Sequence, residues 1–586
     1  MGSYLRLIAY GSENEKRKAF LKGTNTYVYT MDQFHCIEGS PYVYWAGEAL
    51  RDSFKNDRQL AEFGDAKIGL QTGDTQKFIR LWFEIDSCSF NVASGKWFPI
   101  NKGGEYRKWF GNNLNVVDWQ DNGKNIKTDK LERLKAGLIE KKNSKCWNED
   151  YYFRRGITWN LISSSSFSAR CYENMIFDIA SNGYFVFDDS NYLYIAGLLN
   201  SKVTQYIADA LNPTMNLSAG VLSKLPVKDL VNQKSEINEE VQRCIDLAKT
   251  DWNMFEVSYE FCTHPLVGRR NDKMSILLSD KYLEWEAKCN QRFQELKSNE
   301  EKINEIFITA YGLENELDST IKDEDVSVRL ANQEREIKSL ISYAVGCIMG
   351  RYSIKEEGLI YAGGNWDDTR YAGDFKPCEF GVLPITEEQF FEVDLCTRVI
   401  DFVKVVYGED SLVENLKFIA ATLKPDSYEA PKKIIRDYLF NDFFTDHYQI
   451  YQRRPIYWQL DSGKAGGFRA IAYMHRFTEN TLPLVRTEFI QDLRYKYEEE
   501  MQRQKSRLEG ASSTAESNAI KKDIAALDKK IVECAAYDEL LNHATSSIQN
   551  YLFDLDDGVK NNYAKFLSID GDKTVSYTHL TLPTKR

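Results

Sequence analysis

The sequence predicts an α+β, multi-domain chain in which a mixed strand and helix region is followed by mainly helical domains and a long antiparallel helical hairpin. Three observations carry this. The 586 residues exceed what one hydrophobic core holds, and 43% hydrophobic content is enough for several. Between about 56 and 230, short apolar runs alternate with Gly, Asn and Ser turns. From about 231 onward, apolar residues recur at helical period in charged sequence, ending in two heptad-like seams.

Taken in order, residues 1–55 read as the end of a preceding core. Tyr4 to Tyr10 is a strand without a preceding helix or cap, Glu13 to Leu21 a charged helix, and Ser40 to Phe54 a turn entering a helix. The abrupt opening predicts an N-terminal truncation. In the second region, 56–230, Phe78 to Ile85 reads as a buried strand. Met175 to Ile179 and Tyr184 to Phe187 read as a hairpin around Ser181-Asn182-Gly183. Leu199, Val203, Tyr206, Ile207, Ala210 and Leu211 share one helical face, which Asn212-Pro213 stops.

A helical domain over 231–345 follows, then a mixed, helix-rich domain over 346–480 with Gly-rich loops such as Ala362-Gly363-Gly364-Asn365. The hairpin spans 481–550. One seam is Phe489, Leu493, Tyr497 and Met501; the other is Ile520, Ile524, Leu527, Ile531, Cys534 and Leu541, broken by Asp538. A C-terminal segment covers 551–574. The last residues, 575–586, fit nothing before them and read as a non-native tail.

Charge is unevenly placed. The chain carries −12, yet the stretch from Lys96 to Arg170 holds 15 Lys and Arg against 8 Asp and Glu. Within it lie Lys102-Gly103-Gly104-Glu105-Tyr106-Arg107-Lys108-Trp109-Phe110-Gly111-Asn112 and Tyr151-Tyr152-Phe153-Arg154-Arg155. Cations interleaved with flat rings are the composition of a nucleic-acid surface; they are equally that of a solvated face over ordinary core aromatics. Arg107, Lys108, Arg154 and Arg155 are the candidates for phosphate or guanine contacts, Lys102 for a phosphate approached closely beside glycine, and Asn101 and Asn112 for adenine edges. Ser163 to Ser166 supply hydroxyl donors to phosphate. The alternative gives the arginines to Glu105, Glu149 or Asp150 as ion pairs.

Catalytic signatures are missing from the sequence. It has no Gly-x-Gly-x-x-Gly after a strand, and Gly463-Lys464 is followed by Ala465, so no phosphate loop forms. None of the 12 prolines adjoins another, which removes the Asn-Pro-Pro-Tyr/Phe loop that holds a flipped base for amino methylation. The 11 cysteines and 6 histidines have no metal-ligand spacing, so no metal is expected. No apolar run reaches the roughly 20 residues of a membrane span, which predicts a cytoplasmic chain without a membrane partner. His475 is a candidate base and Asp367-Asp368 a candidate metal pair, each read first as structural.

The runs Ile68-Gly69-Leu70-Gln71-Thr72-Gly73-Asp74, Gly103 to Asn112, Leu198-Leu199-Asn200-Ser201-Lys202, Gly350-Arg351-Tyr352-Ser353 and Arg454-Pro455-Ile456-Tyr457-Trp458 resemble a known family. They are similar to the target-recognition and C-terminal regions of the adenine-specific DNA methyltransferases of bacteriophage-exclusion (BREX) systems, the PglX-like proteins. The resemblance implies a target-recognition domain at 56–230, double-stranded DNA as partner, S-adenosylmethionine as cofactor of the intact enzyme, and adenine N6 as the methylated atom. It implies no cofactor in this chain, because the donor and Pro-Pro motifs belong to an N-terminal domain outside it. The competing expectation is a non-catalytic scaffold for other phage-defence proteins, with the hairpin as its working part.

Overall fold

The computed structural model describes residues 2–7, 10–30, 43–92, 95–141, 144–162, 166–211, 217–267, 276–371, 373–546 and 553–567. The turn at Ser40-Pro41, the serines 163–165, the helix stop at Asn212-Pro213 and the tail 575–586 lie outside them. The fold is α+β and multi-domain, as the sequence predicts. It divides into two compact units, each built from separated stretches: 1–78, 98–252 and 289–330 form one, and 79–97, 253–288 and 331–586 the other.

The first unit opens with an antiparallel ribbon, β1 (Gly2–Leu5) with β2 (Thr26–Tyr29), around helix α1 (Glu13–Lys22). Ser12 caps α1 by accepting from the Glu15 amide while Glu15 returns the bond, and Gly23 ends it at φ 64°. Helix α2 (Glu48–Asn56) leads to β3 (Gly64–Lys67). Strands β4 (Trp97–Asn101), β5 (Asn115–Asp118), β6 (Gly156–Asn160), β7 (Ala169–Tyr172), β8 (Ile176–Phe177) and β9 (Ser181–Val186) fall into two sheets. One is antiparallel in the order β3-β9-β6-β7; in the other β4 lies between β5 and β8, with β8 parallel to it.

This placement corrects the expected 175–187 hairpin, because β8 and β9 belong to different sheets. Gly183 serves close packing within β9: a Cβ there meets the Phe185 ring at 2.8 Å and the Tyr172 hydroxyl at 2.9 Å. Phe78 to Ile85 is corrected too. Only Ile79–Leu81 is strand, and Trp82–Glu84 turns as a short helix that Glu84 caps through the Leu81 amide.

Helix α3 (Gln120–Lys135) begins with three residues, Asp121, Asn122 and Gly123, at positive φ. The expected helix around Leu199 to Leu211 is two: α4 (Tyr192–Asn200) and α5 (Lys202–Leu211), broken at Ser201. Eight of the nine residues of α4 are buried. Gly197 brings it against α6 (Lys234–Asn253), where a Cβ approaches the Val241 side chain at 2.8 Å. Helix α7 (Leu278–Tyr311) follows, and its residues from Cys289 close this core with Phe293, Leu296, Ile303 and Phe307.

The second unit centres on α8 (Gln333–Met349), buried from Leu340 through Met349. Helices α9 (Leu395–Tyr407), α10 (Leu412–Leu423), α11 (Pro431–Asn441) and α12 (Phe443–Ile450) surround a three-stranded antiparallel sheet, β10 (Val382–Ile385), β11 (Tyr457–Asp461) and β12 (Arg469–Tyr473), with β12 central. The hairpin is α13 (Gln491–Glu509) packed on α14 (Thr514–Ser546). Leu493, Tyr497, Ile520, Cys534 and Leu541 are buried, whereas Met501, Ile524, Leu527 and Ile531 are half-buried. Asp538, the break in the seam, pairs with Arg486 at 2.7 Å. Among the described residues no helix is long and apolar enough to cross a membrane, and no His, Cys, Asp and Glu group makes a metal site.

Candidate nucleic-acid interface

The run from Lys102 to Asn112 connects β4 to β5 as a tightly folded loop of the first unit. Gly103, Gly104 and Gly111 have φ of 81°, 151° and 126°, and Asn112 has 61°. The glycines are required by contact as well as by dihedral. A Cβ on Gly104 meets Asn112 at 2.8 Å, and one on Gly111 meets Arg107 at 2.5 Å and Trp252 at 2.9 Å. Trp109 is the outlier, a bulky residue at φ 69°. Its surroundings over-determine it: its amide donates to Ala169 O at 2.9 Å, its carbonyl accepts from Cys171 N at 2.8 Å, and its indole donates to Glu300 Oε1 at 2.6 Å.

Two carboxylates from far along the chain neutralise this loop. Arg107 Nη2 donates to Asp251 Oδ2 at 2.6 Å, and its guanidinium lies over the Trp252 ring at 4.9 Å. Asp251 also receives Arg292 at 3.5 Å and Arg329 at 3.3 Å. Lys108 Nζ reaches Glu300 Oε2 at 2.7 Å, so one carboxylate holds both Lys108 and Trp109. Burial works against charge at both pairs, and the partners prevail. For Asp251, the guanidiniums of Arg329 and Arg107 hold the pKa below the ordinary Asp value. For Lys108, burial alone lowers the pKa, but the Glu300 carboxylate and then Tyr106 hold it well above the ordinary Lys value.

Beneath the loop, Arg170 of β7 is 1% exposed. It donates Nη2 to Asn160 Oδ1 at 2.8 Å, and Asn160 Nδ2 in turn holds Gly104 O at 2.8 Å. Burial, then the nearby Arg107, pushes its pKa down to about 10.

The sequence candidates therefore separate. Asn101 is fully buried, its Oδ1 accepting from Ser181 Oγ at 3.1 Å. Asn112 is buried and donates to Glu105 O at 2.9 Å. With Arg107 and Lys108 already paired inside, the expectation that these four line an exposed surface is corrected: packing assigns them to the frame of the loop. The expected acid partners are corrected as well. Asp251 and Glu300 take the roles considered for Glu105, Glu149 and Asp150, and Glu149 pairs with Lys127 at 2.6 Å.

Lys102 is half-buried, 3.5 Å from Thr75 Oγ1; burial lowers its pKa while Asp178 opposes that. Arg154 and Arg155 are exposed, lying over Tyr151 at 4.9 Å and Tyr192 at 3.8 Å. Lys124, Lys135, Lys141 and Lys145 are exposed too. Among the described residues no carboxylate pairs with any of these six cations. Sequence reasoning passed over the four lysines because nothing in their neighbourhood marks them, and Asp251 and Glu300 because their partners are distant in the chain.

No family model matches the chain. It is 37% identical over 588 residues to the adenine-specific methyltransferase PglX of Lacticaseibacillus casei (strain Zhang), covering 96% of this chain and 48% of that protein. It is 33% identical over 592 residues to the adenine-specific methyltransferase BrxX of Escherichia coli O9:H4 (strain HS), covering 95% of this chain and 47% of that protein. The chain thus spans about half the length of the curated relatives it matches. With such identity running through both compact units, the chain belongs to the PglX-like family.

Proposed function

We propose that this chain recognises duplex DNA for a site-specific adenine methyltransferase of a bacteriophage-exclusion system, acting in the cytoplasm. The observation that carries the reading is the set of exposed cations without carboxylate partners, Lys124, Lys135, Lys141, Lys145, Arg154 and Arg155, in a chain of net charge −12. Free cations beside aromatic rings attract phosphate and release its counterions. Lys102 joins them as the half-buried cation beside Gly103-Gly104. In this reading Arg107 and Lys108 shape the loop, and Arg154 and Arg155 carry the base or phosphate contacts.

S-adenosylmethionine is the methyl donor of the parent enzyme in this reading, and two glycine-rich loops of this chain, at 463–467 and 103–104, do not fit it. The amides of Ala465 and Gly467 donate to Glu533 at 2.7 and 2.8 Å, so that loop already cradles a carboxylate of its own chain. The Gly103-Gly104 loop is filled by the side chains of Asn160 and Asn112.

The test is fluorescence anisotropy of the chain on labelled duplexes over a salt series. The expected log–log slope is about −0.9 for each phosphate contacted. Replacing Lys124, Lys135, Lys141, Arg154 and Arg155 together by alanine should weaken binding and flatten that slope. Salt-independent binding, or a variant that binds as well as the parent, refutes the reading and favours the scaffold for other phage-defence proteins.

A further inference from the structure

Two sequence candidates that DNA recognition leaves unused converge in the second unit. Asp368 accepts the Trp366 indole N–H at 2.8 Å, and its neighbour Asp367 accepts from Thr369 N and Oγ1 at 2.9 and 2.6 Å. His475 donates Nε2–H to Ile85 O at 3.0 Å, and burial, then Arg351, pushes its pKa down to about 3, so the ring is neutral. His475 and Trp366, with Tyr361, Phe380, Arg476 and Asn480, line an open cavity of about 380 Å³.

One wall of this cavity is a stack of flat groups. Tyr371 lies on the Trp366 indole, ring centres 5.0 Å apart and planes 22° from parallel. The Arg476 guanidinium lies 3.9 Å from the centre of the same indole. Arg476 is held in place by donating Nη1 to Met349 O at 3.2 Å and Cys378 O at 2.7 Å, and Nη2 to Glu379 O at 2.5 Å. Among the described residues no carboxylate pairs with it. Arg476 lines the cavity, and a guanidinium plane is a stacking surface for an electron-rich ring. Phe380, 45% exposed, adds an apolar flat surface, and Asn480 at the rim offers a donor and an acceptor to a heterocycle edge.

We propose that this cavity takes an unstacked nucleobase, as a free nucleoside or at the end of a single strand, laid on the Arg476 plane. The volume lies within the range of small-molecule sites, about 300–1,000 Å³, and admits a base with its sugar. The proposal does not rest on duplex recognition by the first unit and is tested without duplex.

The experiment is saturation-transfer NMR of the full chain with adenosine, guanosine, cytidine and thymidine, with ribose 5-phosphate and indole as controls. Nucleosides should bind with their base protons most strongly saturated. Phe380→Ala should weaken binding by about fivefold or more, the lower end of a stacking contact. Arg476→Lys should abolish it; because Arg476 also holds three carbonyls, Phe380→Ala and Asn480→Ala carry the test if that variant does not fold. The proposal is overturned if no nucleoside binds, if ribose 5-phosphate binds as well, or if Phe380→Ala binds unchanged. Indole binding in place of nucleosides also overturns it, and points to an aromatic side chain of a partner protein.

Discussion

Glu300 shows how much of this protein rests on single buried charges. Its two oxygens hold the Lys108 ammonium and the Trp109 indole, all of them inside the first unit. Glu300→Ala leaves an ammonium and an N–H buried without partners, and should cost about 3–5 kcal/mol in urea unfolding. Lys108→Met orphans the buried Glu300 carboxylate and should cost a comparable amount, whereas Lys108→Met combined with Glu300→Gln, which leaves no buried charge, should cost clearly less than the two single losses added; strict additivity would mean that the two side chains do not act as a pair. In the second unit Glu256 runs the other way. Burial, only partly offset by the Ser342 hydroxyl at 2.6 Å and by Arg351, pushes its carboxyl up to about 7 from 4.5. The unfolded chain then gives up this proton before the folded one. Stability should fall by roughly 3 kcal/mol as pH rises from 4.5 to 7 and stay level above that. Glu256→Gln should remove this fall and be the more stable protein at pH 8. Identical urea midpoints for parent and variant at pH 5 and pH 8 would show that Glu256 is ionised and paired.

At the scale of elements, the helical hairpin divides along its length. Near its base Leu493 and Tyr497 are fully covered, and the Tyr497 hydroxyl donates to Gly467 O at 2.8 Å. Met501, Ile524, Leu527 and Ile531 are only half-buried, although Ile520, nearer the turn, is covered. Leu493→Ala should therefore cost about 2–5 kcal/mol. Leu527→Ala should cost about 1 kcal/mol, the share of a half-covered leucine. Reversal of that order in thermal or urea unfolding would place the packed end at the other side of the hairpin. The seam spacing is legible in the sequence since it is local; the coverage is not, since Ser462, Ala465 and Gly467 arrive at Glu533 from the loop between β11 and β12 of the same unit.

For the whole molecule, the missing Asn-Pro-Pro motif predicts that the purified chain transfers no methyl group to DNA. Labelled methyl from S-adenosylmethionine appearing in duplex DNA would contradict this directly. Much was legible from residues alone: the α+β class, the charged helix from Glu13 to Leu21, which the structure ends at Lys22, the helical hairpin, and the family resemblance. Each depends on neighbours within a turn or two of helix, or on the order of residues itself. The sequence by itself also determined how much positive charge lies between Lys96 and Arg170. Only the tertiary structure decided which of those charges remain free. Arg107 meets Asp251 across 144 residues and Lys108 meets Glu300 across 192, whereas Arg154 and Arg155 meet no carboxylate among the described residues. A charge is available to a partner only if the fold brings it no buried counter-charge, and that pairing is set by packing at long range, which no local spacing encodes.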